Sequence, residues 1–75
     1  MAEFMILYQY TDEEVLHRLA VFSDSYEEAR AKAVCIVFDI GVQAKIYKLN
    51  KQNDNYEFLE KWIPEKHQTR KEINQ

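Results

Sequence analysis

Apolar residues are concentrated in four short stretches of the chain, and polar clusters separate the members of each pair. The stretches are residues 4–10, 15–22, 42–49 and 56–63. They are rich in Ile, Val, Leu, Tyr and Phe, the residue types that favour β-strands. The polar clusters at residues 11–14 and 50–55 are short enough to be hairpin turns. The pattern therefore predicts two β-hairpins.

Between the two hairpins the pattern changes to one that predicts a helix over residues 26–40. Ser25 and Glu28 have the spacing of a capping box, in which Ser25 accepts from the Glu28 amide and the Glu28 carboxylate reaches back to the Ser25 amide. Gly41, the single glycine, marks the helix end. We expect an α+β fold of order ββαββ, with a four-stranded, mainly antiparallel sheet and the helix on one face. The relative placement of the two hairpins stays open.

A helical wheel divides the apolar residues of this helix into two groups. The group expected to face the sheet consists of Tyr26, Ala29, Ala33, Ile36, Val37 and Ile40. The second group, here called the helix patch, consists of Ala31, Val34, Cys35 and Phe38. Either the sheet curls far enough to cover the helix patch, or Val34 and Phe38 stay exposed until a partner covers them. Apolar residues on both faces of the first hairpin predict a second covering surface, such as another copy in a homodimer.

Composition predicts one small globular domain over residues 1–63, followed by a charged tail over residues 64–75. The chain has 75 residues, 47% of them hydrophobic. No apolar run approaches the roughly 18 residues of a membrane span. The single cysteine fits a reducing compartment, so we expect a cytoplasmic protein that does not enter a membrane.

The net charge of −3 is unevenly distributed along the chain. Residues 1–30 carry seven acidic and two basic residues, whereas residues 31–75 carry six acidic and eight basic residues. This balance argues against a general nucleic-acid binder, whose domain is usually basic.

Few residues suggest catalytic chemistry. His17 and Cys35 can be imagined as a nucleophile pair, but Cys35 lies late in the helix, away from the end that would lower its pKa. A buried or half-buried structural thiol is the favoured interpretation of Cys35. No metal-ligand spacing or phosphate-binding glycine loop is present. We therefore expect a protein that is not an enzyme and has no metal or cofactor.

The second hairpin offers a possible nucleic-acid site made of Lys45, Tyr47, Lys48 and Trp62. Aromatic and basic side chains interleaved on a sheet can stack bases and contact phosphates. A purely structural explanation competes with this one, because Tyr and Trp are common in sheets and lysines on outer strands discourage edge pairing.

Residues 17–49 resemble small phage-encoded, host-directed proteins, such as the small phage inhibitors of bacterial RNA polymerase. The shared order is a strand, a helix that opens with Glu27, Glu28 and Ala29, then Gly41 and a further strand. The chain departs from these inhibitors in having a full strand pair after the helix, so their polymerase-binding residues are not transferred to numbered positions here. The resemblance implies a small protein that occludes a larger bacterial partner.

These observations favour a protein–protein interaction module that self-associates and inhibits a bacterial host protein. Val34 and Phe38 would anchor the partner, with Ala31 and Cys35 beside them. Steering charge would come from the acidic residues of the first turn, Asp12, Glu13 and Glu14. The alternative is a nucleic-acid-binding module that uses the second hairpin.

Overall fold

Within the part of the chain that the structure describes, four strands and one helix follow each other in the predicted order. The computed structural model describes residues 2–64, and the predicted tail lies outside them apart from Pro64. The strands are β1 (Phe4–Asp12), β2 (Val15–Ser23), β3 (Ala44–Asn50) and β4 (Asn55–Trp62). The helix α1 (Tyr26–Cys35) continues directly into a π-helix (Ile36–Ile40). The predicted α+β class is confirmed.

The sheet places the two hairpins side by side in the strand order β2-β1-β3-β4. All three strand pairings are antiparallel. Strands β1 and β3 are therefore central, while β2 and β4 form the two edges. Helix α1 crosses one side of the sheet and contacts β1, β3 and β2. We call this the helix side, and the opposite side the open face.

The helix N-terminus follows the predicted cap only in part. The Ser25 hydroxyl accepts from the Glu28 amide at 3.1 Å, as expected. The predicted return bond is wrong, because the Glu28 carboxylate accepts instead from the Ser23 hydroxyl at 2.7 Å. The Ser25 amide donates to the same Ser23 oxygen at 3.4 Å. Buried Ser23 thus links the end of β2 to the first turn of α1.

The last turn of the predicted helix is a π-helix, which the sequence pattern did not indicate. It ends at Gly41, whose φ is +82° and whose amide donates to the carbonyls of Ile36 and Val37. The wider turn shifts later residues away from the α-helical positions. Ile40, which the wheel assigned to the core, is therefore 44% exposed. Tyr26, at the other end of the same group, is also exposed.

The core lies between α1 and the helix side of the central strands. It consists of Phe4, Ile6, Ala29, Ala33, Ile36, Val37, Ala44 and Ile46. Ile6 and Ile46 are direct cross-strand partners and are completely buried. Burial of each such side chain stabilises the fold by about 1.5–3 kcal/mol. The small side chains of Ala29 and Ala33 are fully buried against the sheet at the centre of this layer.

An irregularity in β4 decides which of its side chains face the helix. Ile46 pairs with Glu60 and Tyr47 with Phe58, so Leu59 is an extra residue, as in a β-bulge. Glu60 therefore lies on the helix side, where its carboxylate accepts from the Tyr26 hydroxyl at 2.8 Å. This hydrogen bond raises the pKa of Tyr26, with burial and the Glu60 charge as smaller causes.

Candidate functional site

The open face carries two adjacent rows of side chains that run across the strands. The first, here called the aromatic row, consists of Phe22, Met5, Tyr47 and Phe58, which are partners in register. Two residues further along β1, β2 and β3, and three along β4 because of the bulge, a second row consists of Ala20, Leu7, Lys45 and Lys61. Because strands lie about 4.8 Å apart, each row spans roughly 14 Å.

The aromatic row presents large apolar rings to solvent. Phe22 is 50% exposed and Phe58 is 57% exposed. The rings of Tyr47 and Phe58 meet edge to face, with centroids 5.7 Å apart and an interplanar angle of 76°. A contiguous exposed apolar surface on a small protein usually marks an interaction site. The aromatic row is therefore a candidate binding surface.

Tyr56 borders the aromatic row on the side opposite the second row. Its hydroxyl donates to the Ala2 carbonyl at 2.6 Å, and its ring lies 6.3 Å from that of Phe22. To reach Ala2 the Tyr56 side chain crosses β3 at Leu49, its cross-strand partner. Leu49 is consequently only 8% exposed although it lies on the open face.

The open face carries three cations: Lys45 and Lys61 lie in the second row, and Arg18 lies two residues beyond Ala20 on β2. They are here called the basic patch. Lys45 and Lys61 are direct cross-strand partners, and Arg18 pairs with Gln9 on β1. Within residues 2–64, none of the three forms an ion pair. Like charges directly opposite each other destabilise a sheet. The opposition of Lys45 and Lys61 therefore lowers the stability of the sheet, and no ion pair within residues 2–64 offsets this loss.

A shallow groove of about 390 Å³ lies on the open face around Lys45 and Arg18, with Tyr47 of the aromatic row at one end. Its walls include Arg18, Lys45 and Tyr47, and the amide side chains of Gln9 and Gln43 line it on the far side of Lys45 from Tyr47. No carboxylate side chain lines this groove among the described residues. The groove therefore combines positive charge, hydrogen-bonding groups and an aromatic ring, which suits an anionic ligand that contains flat rings.

The acidic residues lie elsewhere, so charge is separated between the two sides of the sheet. The open-face positions of the four strands carry no carboxylate, and Glu3, just before β1, pairs with Lys51 at 3.2 Å. Glu57 and Glu60 lie on the helix side of β4. Glu27, Glu28 and Asp39 belong to α1 and the π-helix. A chain of net charge −3 thus presents one basic face.

The structure brings together only half of the nucleic-acid site predicted for the second hairpin. Lys45 and Tyr47 share the open face, but Lys48 and Trp62 lie on the helix side, because alternate residues of a strand face opposite sides. The Arg30 guanidinium lies 5.0 Å from the Trp62 ring centroid, and the indole nitrogen donates to Glu60 at 2.6 Å. Trp62 therefore stabilises the helix–sheet contact.

Sequence reasoning missed the contribution of the first hairpin to this surface. Arg18 and Phe22 lie on β2, and only the strand order places them on the same sheet face as the β3 and β4 residues, with β1 between. Their spacing in the chain, four residues apart on one strand, indicates that they share a face. Phe58 was missed because strict alternation along β4 places it on the opposite side from Lys61, three residues away. The bulge at Leu59 brings both residues to the open face.

The helix patch is exposed, but the structure divides it. Phe38 is 62% exposed, and Ala31 and Cys35 are also exposed, whereas Val34 is half-buried. The expectation that Cys35 is a buried or half-buried thiol is therefore wrong, since its helical position faces away from the sheet. Ala31 and Cys35 line a second groove, of about 380 Å³, together with Val21 of β2.

This second groove lies between α1 and the edge strand β2. The Lys32 ammonium crosses its rim and donates to the Phe22 carbonyl at 3.0 Å. A lysine that contacts a strand edge blocks the addition of another strand at that point. The groove is therefore partly closed by the protein's own side chain.

The predicted acidic cluster forms the tip of the first hairpin. Asp12 ends β1, and Glu13 and Glu14 form the turn with positive φ values of 49° and 72°. All three are exposed. Helix α1 packs near Phe4 and Ile6, and the tip lies about 20 Å further along β1. The structure thus separates these acids from the helix patch that they were expected to assist.

The predicted candidates for chemistry do not form a common site. His17 stacks on Tyr10, with ring centroids 4.9 Å apart, whereas Cys35 lines the groove beside Val21. Within residues 2–64, no three His, Cys, Asp or Glu side chains are grouped so that they could hold a metal ion. No helix in this range is long and apolar enough to cross a membrane.

Fold and site together define a small α+β protein with an open, four-stranded antiparallel sheet and one basic, aromatic face. Comparison of the chain with models of protein families, with curated proteins and with solved structures gives no match.

Proposed function

We propose that this protein is a non-enzymatic binding module that binds nucleic acid through the open face of its sheet. The observation that supports this proposal is the direct opposition of Lys45 and Lys61, with Arg18 on the same face and no carboxylate on the open-face strand positions. A phosphate backbone would supply the negative charge that this surface lacks.

Protection of a strand edge, the structural explanation for lysines on a sheet, does not apply to Lys45. Lysines protect exposed strand edges, but β3 is a central strand that is paired on both sides. Lys45 therefore repels Lys61 without protecting an edge. Residues that break a local stability rule in this way are expected at functional sites.

Self-association through the open face is disfavoured by the same charges. Two copies stacked face to face would bring two basic patches together in a partly desolvated interface. The strand positions of that face offer no carboxylate to pair with Arg18, Lys45 or Lys61. Unpaired charges in an interface are costly, so a polyanion is the better ligand.

The salt dependence of oligonucleotide binding tests this function, and a variant of Lys48 serves as the matched control for a variant of Lys45. Lys45→Gln removes a charge from the open face, whereas Lys48→Gln removes one from the helix side of the same strand. For single-stranded DNA, loss of one phosphate contact should reduce the slope of log affinity against log salt by about 0.7. We expect this for Lys45→Gln alone. Equal effects of both variants, or no oligonucleotide binding by the wild type, would reject the proposal.

A second candidate function, a protein–protein interaction module, is favoured by the exposure of Phe38. A phenylalanine that is 62% exposed is a suitable anchor for a partner, either a second copy or a bacterial protein occluded by a phage-type inhibitor. Sedimentation of the wild type against Phe38→Asp tests self-association, with circular dichroism as the control for folding. A wild-type protein that sediments as a monomer would exclude the homodimer.

A further inference from the structure

We infer that the ligand is single-stranded nucleic acid, with its bases on the aromatic row and its phosphates on the basic patch. The inference rests on the proposed function and adds the strandedness of the ligand and its orientation. Both rows run across the strands, so the nucleic-acid chain would cross the sheet from β2 to β4. The ligand would therefore be perpendicular to the β-strands.

The spacing of the two rows matches the shape of a nucleotide. Lys45 and Tyr47 are two residues apart on one strand, so their side chains leave the sheet about 7 Å apart. A phosphate held by Lys45 would therefore leave the base of the same nucleotide near Tyr47. The amide groups of Gln9 and Gln43, which line the groove on the far side of Lys45 from Tyr47, can hydrogen-bond to a sugar or a phosphate oxygen.

The exposed rings are the reason to expect a single strand. Bases in a duplex are stacked on each other and cannot stack on protein side chains, whereas unpaired bases can be splayed onto aromatic rings. Phe22 and Phe58 stand at opposite ends of the aromatic row and are each at least half exposed. A row of this length suits a site of about two or three stacked bases.

Fluorescence anisotropy with three probes of equal length separates base stacking from phosphate binding. The probes are a short oligothymidylate, an abasic oligomer with the same sugar–phosphate backbone, and a duplex. We expect the oligothymidylate to bind at least about 5-fold more tightly than the abasic oligomer, since one stacked base is worth about 5- to 150-fold in affinity. Equal affinity for the three probes would overturn the inference but leave the proposed function intact. Failure of every probe to bind would overturn both.

Variants locate the stacking on the open face. Phe58→Leu keeps an apolar side chain and removes the ring, so it should weaken oligothymidylate binding about 5-fold or more and leave abasic binding unchanged. Lys45→Gln should weaken both. The matched control is Phe38→Leu, which removes a similarly exposed ring away from the sheet. If Phe58→Leu and Phe38→Leu affect the oligothymidylate equally, the aromatic row is not the stacking surface.

Discussion

The turn between β1 and β2 should be a site where two substitutions stabilise the protein. Glu13 and Glu14 form a two-residue turn in which both φ angles are positive, at 49° and 72°. This is the type I′ geometry, whose preferred sequence is Asn-Gly because these residues tolerate the left-handed conformation. We predict that the double variant Glu13→Asn/Glu14→Gly is more stable than the wild type.

The size of the effect follows from the backbone conformation. A left-handed backbone costs an ordinary residue about 1–2 kcal/mol. Asparagine reduces this cost at position 13 and glycine removes it at position 14, although glycine adds about 0.5–1 kcal/mol of unfolded-state entropy. The free energy of unfolding should therefore increase by about 1–2 kcal/mol. For a domain of this size that corresponds to a Tm increase of about 4–16 °C.

Thermal unfolding followed by circular dichroism measures the change, and Glu13→Gln/Glu14→Gln is the matched control. The control removes the same two charges, which lie next to Asp12, but keeps side chains that disfavour positive φ. A control as stable as the Asn-Gly variant would show that charge repulsion, not backbone strain, limits the turn. An Asn-Gly variant no more stable than the wild type would refute the reasoning altogether.

Three further substitutions test the rest of the fold. Ile46→Ala should lower the free energy of unfolding by about 2–5 kcal/mol in urea titrations, because Ile46 is fully buried; a loss below 1 kcal/mol would contradict its place in the core. Gly41→Ala should cost about 1 kcal/mol from its φ of +82° alone, since nothing lies within 4 Å of the added carbon, and Gly41→Asn should cost less. Glu60→Gln should lower the raised pKa of Tyr26, which ultraviolet titration measures. In the wild type the folded state holds the Tyr26 hydroxyl proton more tightly than the unfolded state does. The free energy of unfolding should therefore fall as pH rises above 10.0, and it should fall less in the variant.

Elements with local signals were predicted well from the sequence. The helix starts where Ser25 and Glu28 place it, and Gly41 ends it at a positive φ. These features depend on residues within one or two turns of each other, which a pattern in the chain records directly. The π-helix is the exception, since a five-residue change of hydrogen bonding inside an apolar run leaves no compositional trace.

Features that depend on distant residues could not be predicted in the same way. Pairing of β1 with β3 brings Met5 next to Tyr47, and no local pattern reports a contact between residues so far apart in the chain. The bulge at Leu59 reverses the alternation in β4, which moves Glu60 and Trp62 to the helix side. The candidate surface depends on the β1–β3 pairing and on the bulge. The sequence therefore indicated Lys45 and Tyr47 but not Arg18, Phe22 and Phe58, which share their face.

The net negative charge of the chain is compatible with a polyanionic ligand because the charge is separated in space. At physiological ionic strength, charges are screened beyond about 8 Å. The basic patch therefore acts on a ligand that is already near the open face, whereas the acids of α1 lie across the sheet. Long-range attraction to nucleic acid is correspondingly weak, so duplexes should be held poorly by charge alone. Affinity would then depend on contacts that only unpaired bases can make with Phe22, Tyr47 and Phe58, and an acidic protein with one basic, aromatic face would favour single strands by this means.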